Sequence, residues 1–405
     1  MTDTPRTLVI LGGGYAGVIC ANRVRSSLTS EEAARTRVIL VNPTASFYER
    51  IRLHEVAAGS RETAARPLAE LLHPQVEVFV GTATRIDPDE HTVDLDTPRG
   101  RSRLDYTTLL YAVGSGSSAE RTPGAREHAF AIAEPDSAHE AADALRSGRP
   151  GMRVVVVGGG FTGVETASEV AEQYPQASVT LLTAGPVVAP MRASARRTIT
   201  RKLGRLGVAV QDGAQVASVA EGRLELADGS EMPFDVCLWT ASFSIPRLAR
   251  DSGLTVDEIG RLRVDQHLRG IDSPDILGAG DAVRLPDTNG AHLRMGCAVA
   301  LPLGGAAADT ILAAWRDEKL PAASVGFLVQ CISIGRRDGY IQFVSADDSP
   351  RAFHLAGRIG ASFKEMICRM TVDGPTKEAT RPGAYWAPAG PRTHGEPAVA
   401  MSRRA

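Results

Sequence analysis

The sequence predicts an α/β fold of two doubly wound units followed by a small α+β C-terminal domain. Three observations carry the prediction. Near the N-terminus an apolar strand, Thr7 to Leu11, runs into a glycine turn and then an apolar helix with Val18, Ile19, Ala21 and Val24. The same arrangement returns at Arg153 to Val157. From Val325 the pattern changes to two short strands around a turn and one amphipathic run.

The first turn reads Gly12-x-Gly14-x-x-Gly17, with Tyr15 and Ala16 opening the helix. Gly12 permits a tight turn, Gly14 lets a pyrophosphate approach the backbone, and Gly17 lets helix and strand pack closely. The second turn reads Gly158-x-Gly160-x-x-Gly163. Each helix N-terminus then offers unpaired N–H groups and a positive dipole end to phosphates. Two such Rossmann-like dinucleotide-binding domains on one chain point to a redox pair, one cofactor passing electrons to the other. The next strand of the first unit ends at Asn42, where an acid usually bonds the ribose hydroxyls. Asn42 can both donate and accept there. Its counterpart in the second unit is Thr183, and Arg192, Arg196 and Arg197 follow it. A neutral residue at that position leaves NADH and NADPH both open.

Between the turns, Phe47 to Gly59 is dense in aromatic and charged residues. It reads as a wall beside the first cofactor, with Arg50 or Arg52 near its phosphates, or as a solvated helix face with ordinary ion pairs. His54 within it reads as a satisfied structural histidine. Strands at 76–87, 91–95 and 107–114 suggest a meander that returns to the first sheet and ends at Gly114, close to the nucleotide. A buried strand at 275–278 delivers Gly280 and Asp281 to a helix-sized segment, Met295 to Ile311. Asp281 could bond a polyol hydroxyl or cap that helix; its place after the second unit favours the ligand. Phe353 to Met370 reads as a helix with Leu355, Ile359, Phe363, Met366, Ile367 and Met370 along one side, a core or homodimer face. The expected division is 1–114 with 270–322 for the first domain, 115–269 for the second, 323–373 for the C-terminal domain, and a disordered tail at 374–405.

With 405 residues and a net charge of −2, the chain offers no basic surface for nucleic acid or anionic lipid. It shows no apolar run of membrane-spanning length and no leader, so a cytoplasmic protein without a stable membrane anchor is expected. The five cysteines, Cys20, Cys237, Cys297, Cys331 and Cys368, form no close pair and no zinc spacing. That removes a disulfide reductase built on neighbouring thiols, and no metal site is expected. Lysine occurs only at 202, 319, 364 and 377, which reads as a coding bias.

The two glycine turns, Glu55-Val56-Ala57-Ala58-Gly59, Ala112-Val113-Gly114, Thr162-Gly163-Val164-Glu165 and Gly278-Ala279-Gly280-Asp281 occur in the order found in one large family. Over residues 7–370 the chain resembles the pyridine nucleotide–disulfide oxidoreductase superfamily, and within it the type II NADH dehydrogenases and their apoptosis-inducing-factor-like relatives. The resemblance implies FAD on the first turn and NADH or NADPH on the second. It implies that Asp281 holds the ribityl chain, that Ala83 meets the adenine through its backbone, and that Ala112, Gly114 and Gly280 line the same cofactor. It places Glu165, the candidate catalytic residue, where nicotinamide meets flavin. The chain departs from the pattern at Val113, at Ser242 after Trp239-Thr240-Ala241, and at Ala298 and Pro302, where the quinone-reducing branch has paired glutamines.

The expected activity is therefore an FAD-dependent NAD(P)H oxidoreductase. Hydride passes from nicotinamide to flavin, and electrons then go to a small quinone-like or other organic acceptor. Three alternatives stay open. One is a reductase of a small iron–sulfur protein, which needs a basic patch from Arg50, Arg52, Arg336 and Arg337. Another is a flavoprotein with a decayed nicotinamide site acting directly on its substrate. The third is a slow-turnover flavoprotein whose main role is redox-gated assembly.

Overall fold

In the computed structural model, which describes residues 5–391, each glycine turn leaves the middle strand of a five-stranded parallel sheet. The first sheet has the order Ile276–Gly278, Thr108–Tyr111, Arg6–Leu11, Thr36–Asn42, Glu77–Val80. The second has the order Phe130–Ala131, Val236–Trp239, Arg153–Val157, Ser178–Thr183, Ala209–Asp212. The central strands are apolar throughout because both faces of a parallel sheet are covered; Leu8, Val9, Ile10, Val154 and Val156 are fully buried. An antiparallel meander of Thr82–Asp87, Thr92–Thr97 and Gly100–Asp105 leads back into the first sheet, as the short β-branched segments predict.

The helix Tyr15–Ser27 lies against Cys297–Trp315, close enough that a Cβ on Gly304 would come within 2.3 Å of the Ala16 carbonyl oxygen. Cys297–Trp315 is long and apolar enough to cross a membrane, contrary to the expectation that no run reaches that length. Yet 67% of its most apolar window is buried inside the protein. Val299, Leu303, Ala307 and Ile311 belong to the first hydrophobic core, so its apolarity serves packing.

The C-terminal segment departs from expectation in two ways. The strands Val329–Ser333, Gly339–Val344 and Pro350–Ala356 form an antiparallel sheet, and the helix runs Gly357–Glu378. Phe353 and Leu355, expected on the helix, lie in the edge strand. Cross-strand pairs win there: Ile341 faces Leu355, while Phe343 meets Phe353 and Tyr340 stacks on His354, both at 4.9 Å. The apolar stripe is not a core of this chain, since Ile359, Met366 and Met370 are 68%, 46% and 55% exposed. The buried side is Gly360, Cys368, Thr371, Val372 and Pro375.

The helix also continues past Asp373. Glu378 is fully buried and receives Arg23 through two bonds of 2.8 and 3.1 Å, together with the Gly383 and Tyr385 amides at 2.7 Å each. The chain is thus tied to the first unit through Glu378, which also holds Gly383 and Tyr385, within the stretch expected to be a disordered tail. The rest of the expected tail, 392–405, lies outside the described residues.

Candidate active site

The two glycine turns are built alike. Gly12 (φ +111°) lies under the Ala112 carbonyl, and Gly158 (φ +120°) lies under Thr240. A Cβ on Gly17 would come within 1.9 Å of the Gly12 oxygen, and one on Gly163 within 1.7 Å of the Gly158 oxygen. Only glycine fits those crossings. Gly14 and Gly160 are different: each is the N-cap of a 13-residue helix, no side chain caps it, and a Cβ would meet nothing within 4 Å. Both turns therefore present open space in front of free helix N–H groups, which fits a pyrophosphate.

Around the first cradle several residues take structural roles. Asn42 accepts from the Gly13 amide at 2.9 Å and donates to the Thr44 and Ser46 carbonyls at 2.8 and 3.2 Å. Both amide protons are occupied, so against expectation Asn42 can only accept from a ribose. The Gly81 amide bonds the Asn42 carbonyl at 2.9 Å and brings Ala83 to the same rim. Asp281 accepts from Ser115 Oγ and from the Gly296 amide, both at 2.7 Å; Gly296 is the N-cap of Cys297–Trp315. Asp281 thus does not cap the helix through its first-turn amides but holds the N-cap residue Gly296 in place, leaving its other lone pairs unused among the described residues. Gly114 (φ +71°) and Gly280 (φ +90°) hold the left-handed turns beside it. Arg50 donates to the Ser115 and Ala133 carbonyls at 2.6 and 3.1 Å, with Asp281 and Tyr15 as electrostatic neighbours. Tyr15 is buried edge-on against Phe47 at 5.1 Å, and burial pushes its phenol far up. In the second unit Thr183 donates its hydroxyl proton to the Gly185 carbonyl at 2.7 Å.

Glu165 is buried where the helix Phe161–Gln173, the strand Val329–Ser333 and the helix Gly357–Glu378 meet. Its Oε1 accepts from the Ser333 amide at 3.1 Å and lies 2.9 Å from Lys364 Nζ. Burial opposes its ionisation, but Lys364, His54 and Ser333 together hold the carboxyl below its usual range. Burial likewise opposes the charge on Lys364, yet Cys331 and Glu165 hold it well above the usual range. The pair is thus ionised. His54 is enclosed with no hydrogen-bond partner for Nε2 among the described residues, so it is not the satisfied histidine expected; burial lowers its pKa. Beside it Glu55 pairs with Arg52, Arg61 and Arg336 at 2.9, 2.6 and 3.0 Å. A cavity of about 100 Å³ opens onto this cluster between Arg52, Arg336, Lys364 and Cys368.

A family model described as pyridine nucleotide-disulphide oxidoreductase matches residues 6–296. The chain belongs to this family. It is an NAD(P)H-dependent flavoprotein oxidoreductase with FAD and a nicotinamide nucleotide as cofactors. It is 29% identical over 350 residues to an NADH dehydrogenase-like protein of Mycobacterium tuberculosis, covering 81% of this chain and 85% of the relative. A type II NADH:quinone oxidoreductase of the same species is 30% identical over 316 residues, covering 68% and 66%. The fold is that of NDH2 from Plasmodium falciparum in complex with NADH, at TM-score 0.77, 13% identity and coverage of 94% and 99%.

In this oxidoreductase the four basic residues considered from sequence divide: Arg50 and Arg337 are exposed without a carboxylate partner among the described residues, whereas Arg52 and Arg336 are paired. Arg52 is buried among Glu49, Glu55 and Glu365, Arg336 pairs with Glu55 and Glu169, and Arg50 binds carbonyls. The five cysteines are free. Three of them, Cys297, Cys331 and Cys368, come within electrostatic range of Lys364, a convergence that sequence spacing hides. Burial pushes the Cys297 and Cys368 thiols up to about 11 and about 12, the opposite of what a working thiolate needs. Sequence reasoning missed Lys364 and Ser333. The signal for Lys364 was the rarity of lysine in an arginine-rich chain, a rarity put down to coding bias.

Proposed function

We propose that this oxidoreductase takes reducing equivalents from NADH and delivers them to a small quinone-like acceptor, with Lys364, held by Glu165, supplying a proton. The buried Glu165–Lys364 pair carries the reading. Reducing a quinone consumes protons as well as electrons, and a mostly buried carboxylate–ammonium pair can hold one proton in reserve. When bound, the flavin accepts hydride from the nicotinamide and passes electrons onward. The chain's own part is to seat phosphates at Gly14 and Gly160, to fix the Cys297–Trp315 helix through Asp281, and to hold a proton on Lys364 Nζ. The cavity beside Arg52 and Arg336 joins that proton to solvent. The type II NADH:quinone oxidoreductase among the relatives supports a quinone. Ala298 is exposed and Pro302 buried where that branch has glutamines, which favours a small acceptor over a tightly held one. The pairing of Arg52 and Arg336 with carboxylates speaks against an iron–sulfur partner, and the open cradle at Gly160 against a decayed nicotinamide site.

The test compares two acceptors in Glu165→Gln and Lys364→Gln. With a soluble benzoquinone, turnover should fall about 100-fold. With ferricyanide, which takes electrons without protons, it should change far less. An equal loss with both acceptors would remove the proton-supplying role.

A further inference from the structure

We infer that Asp212 is the carboxylate that selects NADH over NADPH in the second unit. The inference rests on the second glycine turn holding the nicotinamide nucleotide. In such a unit, the last residue of the strand after the turn helix meets the adenosine ribose. An acid there bonds the 2′-hydroxyl and repels a 2′-phosphate. Here that residue is Thr183. Its hydroxyl proton goes to Gly185, and its side chain lies under the turn, where a Cβ on Gly159 would come within 2.2 Å of Oγ1. Thr183 therefore supplies no charge.

The register supplies it one strand further out. Thr183 pairs in parallel with Asp212, the last residue of the edge strand Ala209–Asp212. Registered neighbours in a sheet lie about 4.8 Å apart and send their side chains to the same face. Gly213 (φ +76°) then turns the chain, and the Ala214 amide bonds the Thr183 carbonyl at 3.0 Å, pinning the acid to this rim. Asp212 is exposed and has no hydrogen-bond or ion-pair partner among the described residues. Ala184, Gly185 and Pro186, which follow Thr183, are exposed as well, so the rim is open to a ribose.

The cations that could favour a 2′-phosphate come from the helix Ala193–Arg205 and its N-cap Arg192. Arg196 reaches back to the Ala189 carbonyl at 3.4 Å, and Arg192 lies in electrostatic range of Tyr340 on the C-terminal sheet. Arg197 is exposed, and none of the three pairs with Asp212 among the described residues. The charge fixed by register beside Thr183 is negative.

The test uses calorimetric binding of NAD⁺ and NADP⁺ to the flavin-loaded protein, with anaerobic reduction by NADH and NADPH alongside. The wild type should bind NAD⁺ at least tenfold more tightly than NADP⁺. Asp212→Asn should shrink that ratio about tenfold, with the change carried by KM, and Asp212→Arg should invert it. Arg197→Ala should leave the ratio in place. Equal or tighter NADP⁺ binding by the wild type, or an unchanged ratio in Asp212→Asn, would overturn the assignment while leaving the second glycine turn as the nicotinamide nucleotide site. Binding of neither nucleotide would overturn both.

Discussion

Gly14 and Gly17 sit three residues apart and should respond to substitution in opposite ways. Gly17 is closed by the Gly12 carbonyl, so Gly17→Ala should destabilise the fold and lower the apoprotein melting temperature. Gly14 faces open space, so Gly14→Val should cost only about 1 kcal/mol as a poorer N-cap, yet yield colourless protein because the added methyls fill the cradle. Gly160→Val should stay yellow and lose nicotinamide nucleotide binding. Absorbance spectra and thermal melts check all three; a yellow Gly14→Val would contradict the cradle. At this scale the glycines were legible because each carries a steric reason visible in the motif. Asn42 and Asp281 were half legible: the sequence shows what they can bond, but the competing backbone donors and acceptors appear only once the turns are folded.

Elements with strong periodicity were legible, while their junctions were not. The middle strands and turn helices were legible because parallel strands buried on both faces read as unbroken apolar runs. The boundary at Gly357 was not, because Phe353 and Leu355 suit a strand or a helix and only the ring contacts from Phe343 and Tyr340 decide. The far end of that helix depends on Arg23, more than 350 residues earlier in the chain. Breaking this buried pair by Arg23→Leu should cost about 3–5 kcal/mol, because it leaves the enclosed Glu378 carboxylate without a countercharge, whereas Glu378→Gln leaves Arg23 paired with Asp309 and should cost less. Urea unfolding measures this, and a loss below about 1 kcal/mol would show that the helix end is not held there.

Across the whole molecule, the ion-pair cluster around Glu55 joins the segment Leu53–Ala57, the second unit's helix and the C-terminal segment. The local pairs of Arg52 with Glu49 and Glu55 were legible as ordinary ion pairs of that segment, but Glu169, Arg336 and Glu365 come from distant parts of the chain and were not. Burial opposes ionisation of Glu55, but His54, Arg61, Arg336 and Arg52 hold its carboxyl down at about 2. Its folded pKa lies below its ordinary value, so its stabilisation is fully present above about pH 4.5. As pH falls towards about 2 it is lost, a change of roughly 3 kcal/mol. Glu55→Gln should therefore flatten the acid limb of the stability profile, and a limb unchanged in slope would place the acid sensitivity elsewhere.

The central claim is that two nucleotides meet on one chain and pass electrons in sequence. Anaerobic mixing of the purified protein with NADH in a stopped-flow spectrometer tests it directly. The account predicts rapid bleaching of the yellow flavin absorbance by NADH and its return when a soluble quinone is added. Flavin that stays oxidised in the presence of NADH and NADPH alike would contradict the account.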